Sequence, residues 1–212
     1  MRQLLGKRWA LIGFLAAGII ALTVQSASAA VVYNATVPDG SLIVGPGCYG
    51  SLGAWTAQGD WHPAGGDYYG FDAYQNLNNA TGTCDGTSVY TLDQATATAS
   101  VTWWLHFGIT PTSTNGVAFT QNCQIYAYIP TEKAGDYHAR YDFYGFSYTT
   151  IRWLAWPGDT IDQEDNAGWT HIGGAIVPPG TSYLQVVLNN GDPATPGWYA
   201  GAGDMAFDCN PV

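Results

Sequence analysis

Few residues in this sequence could act as a pair of general acids or bases. Glu132 and Glu164 are the only glutamates, and both lie in turn-like polar segments. Glycoside hydrolysis requires two carboxyl groups facing each other across a cleft, about 5–9.5 Å apart. Asp142, Asp204 and Asp208 fall on polar faces of strand-like segments, where they could either meet across a sheet or hold a turn. For Asp204 we favour a structural role, with its carboxylate accepting backbone N–H groups.

Nucleophilic catalysis has no local signature in the chain. The Gly-x-Ser-x-Gly elbow of serine hydrolases is absent from the sequence, and Ser182 lies where a turn leads into a strand. The four histidines are far apart in sequence: His62, His106, His138 and His171. Because the fold brings a base to its nucleophile, this spacing does not exclude a triad. We predict no catalytic residue, and a small extracellular hydrolase using Asp or His groups remains the alternative function.

An acidic segment offers the oxygen ligands that Ca²⁺ prefers. Asp159, Asp162, Glu164 and Asp165 lie within seven consecutive positions. Their spacing lacks the alternating acids and central glycine of an EF-hand loop. We therefore predict a solvated acidic loop and no required cofactor, with weak calcium binding as the alternative.

Aromatic residues provide the clearest indication of function. The chain contains 9 Trp, 14 Tyr and 7 Phe residues, and flat aromatic faces pack against the C–H faces of sugar rings. Many of these rings will fill a core, since large aromatics suit strands. Trp103 and Trp104 are successive and cannot both enter one core. Five tryptophans lie in turn-rich contexts, are expected to be more exposed than Trp103, and are the predicted ligand-binding residues: Trp55, Trp61, Trp153, Trp156 and Trp198.

The segments that must position these side chains are strands. Apolar and polar residues alternate with period two, as in Val101, Trp103 and Leu105, and helical periodicity is almost absent. The same alternation occurs at 124–129, 139–144, 184–188 and 204–209. Turn signals separate the runs, among them Pro157-Gly158-Asp159 and Pro178-Pro179-Gly180. The pattern predicts an all-β fold, an antiparallel, jelly-roll-like β-sandwich forming a single domain over residues 30–212.

The first residues of the chain have the features of a secretory signal peptide. Arg2, Lys7 and Arg8 precede an apolar run, and small residues follow at 26–30, which predicts cleavage after Ala29. We therefore predict residues 1–29 to be removed and the protein to be extracellular, with no membrane attachment. The formal net charge of −10 argues against nucleic acid as a partner, because an acidic surface repels phosphate.

Four cysteines in an exported chain predict two disulfides. Three pairings are possible in principle, and zinc spacing is absent from the sequence. We favour Cys48–Cys84 and Cys123–Cys209, because Cys123 opens one strand-like run and Cys209 closes another. This pairing requires those two strands to be neighbours.

The order of motifs in the chain resembles that of a known domain family. The segments that carry the resemblance are Gly53–Trp55, Gly66–Gly70, Cys123–Pro130, His138–Tyr144, Gly168–Gly173, Val177–Gly180, Tyr183–Leu188 and Gly203–Phe207. This order is similar to the golvesin-type domain, also described as a xanthan-lyase carbohydrate-binding-like domain, of secreted bacterial proteins. The resemblance spans roughly Val37 to Cys209 and implies a β-sandwich accessory or binding module.

Together these observations predict a secreted, disulfide-linked, non-catalytic module that binds carbohydrate or another extracellular polymer. A structural or adhesive surface protein, whose aromatic residues and acidic charge serve assembly, is the second alternative besides the hydrolase.

Overall fold

The computed structural model describes residues 35–46, 48–50, 53–63, 82–84, 88–107, 116–130, 133–147, 152–192, 194 and 196–212. The predicted signal peptide lies outside these residues, as does Glu132. The described part contains strands and no helix. The strands are β1 (Leu42–Val44), β2 (Cys48–Gly50), β3 (Gly53–Gln58), β4 (His62–Pro63), β5 (Gly82–Cys84), β6 (Val89–Leu92), β7 (Ser100–His106), β8 (Gln121–Ile129), β9 (Ala139–Ser147), β10 (Arg152–Ile161), β11 (Gly168–Val177), β12 (Tyr183–Asn189), β13 (Tyr199–Ala202) and β14 (Met205–Pro211). The described ranges contain no helix that is long and apolar enough to cross a membrane.

Two antiparallel sheets enclose the main core. One has the strand order β1-β14-β8-β11 and the other β10-β9-β12-β7-β3. A single buried cluster takes Ile125 and Phe207 from the first sheet and Trp103, Phe143 and Leu184 from the second. Two smaller sheets, β13-β6-β4 and β2-β5, accompany them. The predicted all-β, antiparallel sandwich is confirmed.

The period-two alternation is reproduced in β9 and β12, whereas in β14 Ala206 is buried as well as Met205 and Phe207, because it packs in a second apolar cluster. In β7, Val101, Trp103 and Leu105 are buried in the core, whereas Trp104 is half-buried on the opposite face. Trp103 is 1% exposed, and its indole Nε1 donates a hydrogen bond to the Gly203 carbonyl at 3.1 Å. The prediction that these two tryptophans occupy different faces is confirmed, because successive strand residues point to opposite sides.

The turn predicted at Pro157-Gly158-Asp159 is wrong. Strand β10 continues through these residues, and its register against β9 shifts between Trp156 and Asp159. A β-bulge of this kind leaves a residue outside the ladder and so tolerates a proline without a backbone N–H. Gly158 lies against the Tyr141 carbonyl, where a Cβ atom would clash. The glycine and proline therefore mark an irregularity within a strand, not its end.

The acidic segment after β10 is only partly the solvated loop that its composition predicts. Glu164 and Asp165 are exposed, but Gln163, which precedes them in the chain, is 0% exposed. Its Oε1 accepts the Gly201 N–H at 2.9 Å, and its Nε2 donates to the Gly201 carbonyl at 2.9 Å and to the Tyr141 hydroxyl at 3.0 Å. Gly201 belongs to β13, the edge strand of the three-stranded sheet. The Gln163 amide thus completes the hydrogen bonding of that edge.

Replacing Gln163 with methionine is expected to lower the free energy of unfolding by about 2–3 kcal/mol, since both backbone groups of Gly201 lose their buried partner. Urea denaturation followed by tryptophan fluorescence measures the change. Gln185→Met is the matched control, because Gln185 is only half-buried on β12. Equal losses for the two variants would contradict the role assigned to Gln163.

One of the two predicted disulfides is present in the described residues. Cys123 and Cys209 are bonded and lie opposite each other on the neighbouring strands β8 and β14, as the prediction required. The backbones of Cys48 and Cys84 are likewise directly opposite in the β2–β5 pair. Their side chains lie outside the described part of the structure, so this second disulfide stays a prediction.

Candidate functional site

A cleft of about 310 Å³ opens beside the three-stranded sheet. Strand β6 pairs with β13 on one side and β4 on the other, both antiparallel. These strands, the segment after β6 and the residue after β12 provide the walls. The lining residues are Asp60, His62, Tyr90, Thr91, Leu92, Gln94, Thr98, Asn190 and Tyr199. Hydroxyl, amide and carboxylate groups therefore meet aromatic rings in one concave place, which is the usual composition of a ligand site.

The aromatic wall of the cleft consists of rings in mutual contact. Tyr90 on β6 and Tyr199 on β13 meet edge to face, with ring centroids 5.4 Å apart. His62 on β4 continues the row, 5.6 Å from Tyr90. The Lys133 ammonium lies 4.5 Å from the Tyr199 ring centroid and 5.8 Å from that of Tyr90. Such packing holds the rings in fixed orientations and places a cation on a π face.

Polar groups that are exposed to solvent also line the cleft. The Asp60 carboxylate and His62 Nε2 are 3.4 Å apart, with side-chain exposures of 90% and 53%. Gln94 is also exposed. Asp60 is fixed from behind, because the Thr91 hydroxyl donates to its carbonyl at 2.7 Å. Of the residues that line the cleft, only Asp60 carries a carboxyl group, so these residues do not form the paired carboxylates of a glycosidase.

Asn190 holds the cleft together from inside. It is 1% exposed, and its Oδ1 accepts the N–H groups of Thr98 and Ala99, both at 2.8 Å. Its Nδ2 donates to the Leu92 carbonyl at 2.8 Å and to the Thr98 hydroxyl at 3.2 Å. The side chain therefore joins the end of β6 to the segment before β7, and its amide is fully used by the protein.

A second aromatic pair includes Trp198, the residue that directly precedes the cleft-lining Tyr199. Trp198, which precedes β13, is 42% exposed and meets Tyr137 edge to face at 5.0 Å between ring centroids. Gly135 lies close against the Trp198 indole, where a Cβ atom would stand 2.9 Å from Cε3. A hydrogen bond to Glu164 and the neighbouring acids raise the pKa of the Tyr137 hydroxyl to about 12. This pair offers an additional exposed aromatic surface.

Three buried aspartates lie beneath the β13 wall of the cleft. Asp93 follows β6, Asp136 precedes β9 and Asp192 follows β12, with exposures of 1%, 2% and 3%. Burial and the charges of the other two raise the pKa of Asp93 to about 7. Burial is also the main cause that raises the pKa of Asp136 to about 6.

The five predicted ligand-binding tryptophans are distributed over the molecule. Trp55 in β3, Trp61, and Trp156 in β10 are half-buried and pack against the main core. Trp55 and Trp156 therefore lie in strands, not in the turn-rich contexts that the sequence indicated. The Trp153 side chain lies outside the described part of the structure. Trp198 is exposed and borders the cleft strand, so it is the candidate of the five that the site retains.

The predicted acids do not meet as a metal site. The described residues contain no group of three or more His, Cys, Asp or Glu side chains arranged to hold a metal ion. Asp162 Oδ1 instead accepts the Glu164 N–H at 3.1 Å and the Asp165 N–H at 3.3 Å, which forms a local turn. Asp159 lies in strand β10. Calcium binding at this segment stays a prediction.

Of the residues considered for hydrolysis that the structure describes, His62 alone lines the cleft. Asp204 is 2% exposed, and its carbonyl accepts the Tyr128 N–H. His171 is 7% exposed and lies 2.9 Å from Gln124 Oε1 through its Nε2. His106 is buried at the end of β7, and burial lowers its pKa. His138 faces the buried aspartates, where its Nδ1 lies 3.2 Å from Asp192 Oδ2.

Sequence reasoning missed the residues that form the cleft itself. Tyr90 lies in a Val-Tyr-Thr-Leu run too short for a periodicity argument, and Tyr199 stands in a Gly/Pro-rich segment. Asn190 belongs to the segment Asn189–Asp192, whose composition indicates only a turn. The one available signal was the asparagine-glycine turn after a clear strand, because a buried Asn in such a turn often binds backbone groups.

Comparisons with known proteins give no family for this chain. No protein family model matches it. No curated protein matches it either. The golvesin-type resemblance therefore receives no support from these two comparisons.

Two solved structures are similar to the chain at low identity. One is that of the CBM22-1–GH10 modules of endo-1,4-β-D-xylanase 10B from Clostridium thermocellum, complexed with xylohexaose: 11% identity, TM-score 0.42, 82% of this chain covered. The match spans 30% of that protein, so this chain corresponds to less than a third of its length. The other is CBM32-3 of a family 31 glycoside hydrolase from Clostridium perfringens: 14% identity, TM-score 0.36, covering 76% of this chain and 92% of the module.

Proposed function

We propose that this protein is an exported, non-catalytic module that binds a neutral polysaccharide in the cleft beside β6 and β13. The observation that carries the proposal is the meeting of the Tyr90 and Tyr199 rings with Asp60, His62 and Gln94 in one concave site. Aromatic faces pack against the C–H faces of a sugar, while amide and carboxylate groups bind its hydroxyls. Membership of the golvesin-type family stays a prediction from the motif order.

The charge of the protein supports a neutral ligand over an anionic one. The chain has a formal net charge of −10, and the exposed carboxylate of Asp60 lies in the cleft. An acidic surface repels polymers rich in carboxylate or sulfate. The Lys133 ammonium is placed over the Tyr199 and Tyr90 rings, where it serves ring packing. Neutral glycans meet no such electrostatic cost.

Export is proposed on the signal-peptide pattern of residues 1–29 together with the Cys123–Cys209 disulfide. Disulfides persist in oxidising compartments and are rare in the cytosol. Mass spectrometry of the protein recovered from culture fluid tests this step. The expected product begins at Ala30 and carries no free thiol, whereas a chain that retains residues 1–29 in the cell pellet would contradict it.

Affinity electrophoresis through soluble xylan, mixed-linkage glucan, mannan and the anionic polymer alginate tests the ligand class. We expect retardation by at least one neutral polymer and none by alginate. Tyr90→Ala is expected to weaken binding by about tenfold or more, because losing an aromatic contact of about 1.5 kcal/mol corresponds to that factor. Phe119→Ala is the control, since Phe119 is 69% exposed and does not line the cleft.

The outcomes separate the alternatives. No retardation by any polymer, or equal effects of the two substitutions, would contradict the proposal. Release of reducing sugar from a retarding polymer would instead support the hydrolase alternative. Trp198→Ala shows whether the binding surface extends to the Trp198–Tyr137 pair. Self-association on a sizing column without glycan retention would favour the adhesive alternative.

A further inference from the structure

The three buried aspartates beneath the cleft form one interacting group, which we call the carboxyl cluster: Asp93, Asp136 and Asp192. They come from three separate segments, and each interacts electrostatically with the others. All three are at least 97% buried by their exposures of 1%, 2% and 3%. Carboxylates in this position are costly unless they are neutralised or hydrogen-bonded.

Hydrogen bonds satisfy two members of the cluster and leave the third without a partner. Asp136 Oδ1 accepts the His138 N–H at 2.7 Å, and Asp192 Oδ1 accepts the Ala194 N–H at 2.7 Å. The neighbouring Asp192 carboxyl group also raises the pKa of Asp136. Neither oxygen of Asp93 has a hydrogen-bond partner in the described structure, although both are buried.

The groups facing the cluster provide little compensating charge. His138 is the basic side chain that contacts it, and 54% of that side chain is exposed. Tyr141 on β9 also faces Asp136, but burial and that carboxylate raise the pKa of the tyrosine, so it stays neutral. The Lys133 ammonium lies over the tyrosine rings of the cleft instead. Among the residues that the structure describes, the three acids thus lie near one histidine and one neutral phenol.

Backbone groups of Asp93 and Asp136 also hydrogen-bond to β13 and to the residues just before it. The Asp93 N–H donates to the Trp198 carbonyl at 2.8 Å, and the Gly197 N–H donates to the Asp93 carbonyl at 3.0 Å. The Tyr199 carbonyl accepts the N–H groups of Gly135 and Asp136, at 2.7 and 3.1 Å. Any separation of the three acids must pull on these bonds, and so on Tyr199.

We propose that the carboxyl cluster is a proton-controlled latch: when protonated it holds β13 and the aromatic wall in place, and when it ionises the wall loosens and ligand binding weakens. The binding part of this inference rests on the proposed function. The latch itself concerns only the protein and its protons.

The direction of the pH dependence follows from the raised pKa values. Asp93 and Asp136 shift from 3.8 to about 7 and about 6 on folding. At a pH between the unfolded value of 3.8 and these folded values, the folded protein binds more protons than the unfolded chain. Their contribution to stability is therefore complete below about pH 4 and is lost as the pH rises through the folded values near 6 and 7.

Thermal unfolding of the disulfide-intact chain between about pH 4 and pH 8 tests the latch. We expect the Tm to fall by about 5 °C or more across this range, for a chain of this size. Asp93→Asn, which imitates the neutral acid, should remove at least half of that fall. Asp39→Asn, which removes the same charge from an exposed position, should leave it unchanged. Equal pH profiles for the two variants would overturn the proposal.

Amide hydrogen exchange of the wild-type protein gives a test that needs no variant. After correction for the intrinsic pH dependence, the amides of Asp93, Gly135, Asp136 and Gly197 should lose protection at alkaline pH before the core strand β8 does. Uniform loss of protection throughout the protein would overturn the latch. Recovery of the acidic Tm at pH 8 on addition of millimolar calcium would also overturn it, because a cation would then be the natural occupant.

The binding arm uses the neutral polymer that retards the protein best. Retardation should weaken by about tenfold from pH 5 to pH 8 in the wild type, which corresponds to about 1.4 kcal/mol of binding free energy. It should weaken less in Asp93→Asn. A pH-dependent Tm and exchange pattern with no retardation by any polymer at any pH would uphold the latch and reject only the proposed function.

Discussion

Replacing Trp103 with alanine is expected to lower the free energy of unfolding by about 3–5 kcal/mol, the range measured for large-to-small substitutions in a core. Trp103 is 1% exposed at the centre of the sandwich, 6.4 Å from the Tyr141 ring. Its indole also holds the Gly203 carbonyl, just before β14. The substitution thus opens a large cavity and leaves a buried carbonyl without its donor, and the two costs add.

Trp104→Ala is the matched control on the same strand. Trp104 is half-buried on the outer face, so its removal exposes little and is expected to cost about 1 kcal/mol. Urea denaturation at neutral pH, with far-UV circular dichroism as the signal, measures both. A Trp103 variant no less stable than the Trp104 variant would show that the core does not lie on the predicted face of β7.

Strand-level features were predictable because they depend on local periodicity. The alternation at Val101–Leu105 and at Tyr183–Asn189 determines which side chains enter the core, and the structure agrees. The failure at Pro157 shows the limit of such reasoning. Turn composition indicates that the ladder is interrupted, but a bulge and a chain reversal interrupt it with the same residues. Only the partner strand, β9, decides between them.

The acidic segment shows a second limit. Composition predicts solvent exposure for 159–166, and Glu164 and Asp165 are indeed exposed. Gln163 is buried because the edge of β13 needs a donor and an acceptor at Gly201, nearly forty residues away. No local pattern distinguishes this glutamine from its neighbours, since its burial is determined by a strand pairing that forms elsewhere.

The candidate site was the least predictable feature for the same reason. The cleft forms because β6 pairs with β13, which brings Tyr90 and Tyr199 together beside Asn190. The carboxyl cluster likewise brings Asp93 close to Asp136 and Asp192, which are distant from it in sequence. Of the tryptophans chosen from turn-rich contexts, Trp55, Trp61 and Trp156 are half-buried and pack against the core. Tyrosines in short strands formed the cleft instead.

The cluster and the cleft have one structural cause. Strand β13 is short and lies at the edge of a small sheet, so its position depends on groups outside the ladder: the Gln163 amide and the backbone of Gly135 and Asp136. An element held in this way is less stable locally than the strands of the sandwich core. Adjustable binding strength is therefore expected at β13 rather than at β8 or β12.

Loss of the Cys123–Cys209 disulfide is expected to lower the free energy of unfolding by about 4–5 kcal/mol. The two cysteines are 86 positions apart in sequence. A bond that closes so long a loop strongly restricts the unfolded chain. Cys123 is 0% exposed, so the double variant Cys123→Ala/Cys209→Ala keeps an apolar side chain at the buried position. Cys48→Ala/Cys84→Ala is the comparison, with a smaller expected loss because the shorter loop restricts the unfolded chain less. Urea unfolding with and without reductant measures both. A wild-type midpoint that reductant does not move would contradict this expectation, because the stability would then come from the sandwich core without the bond.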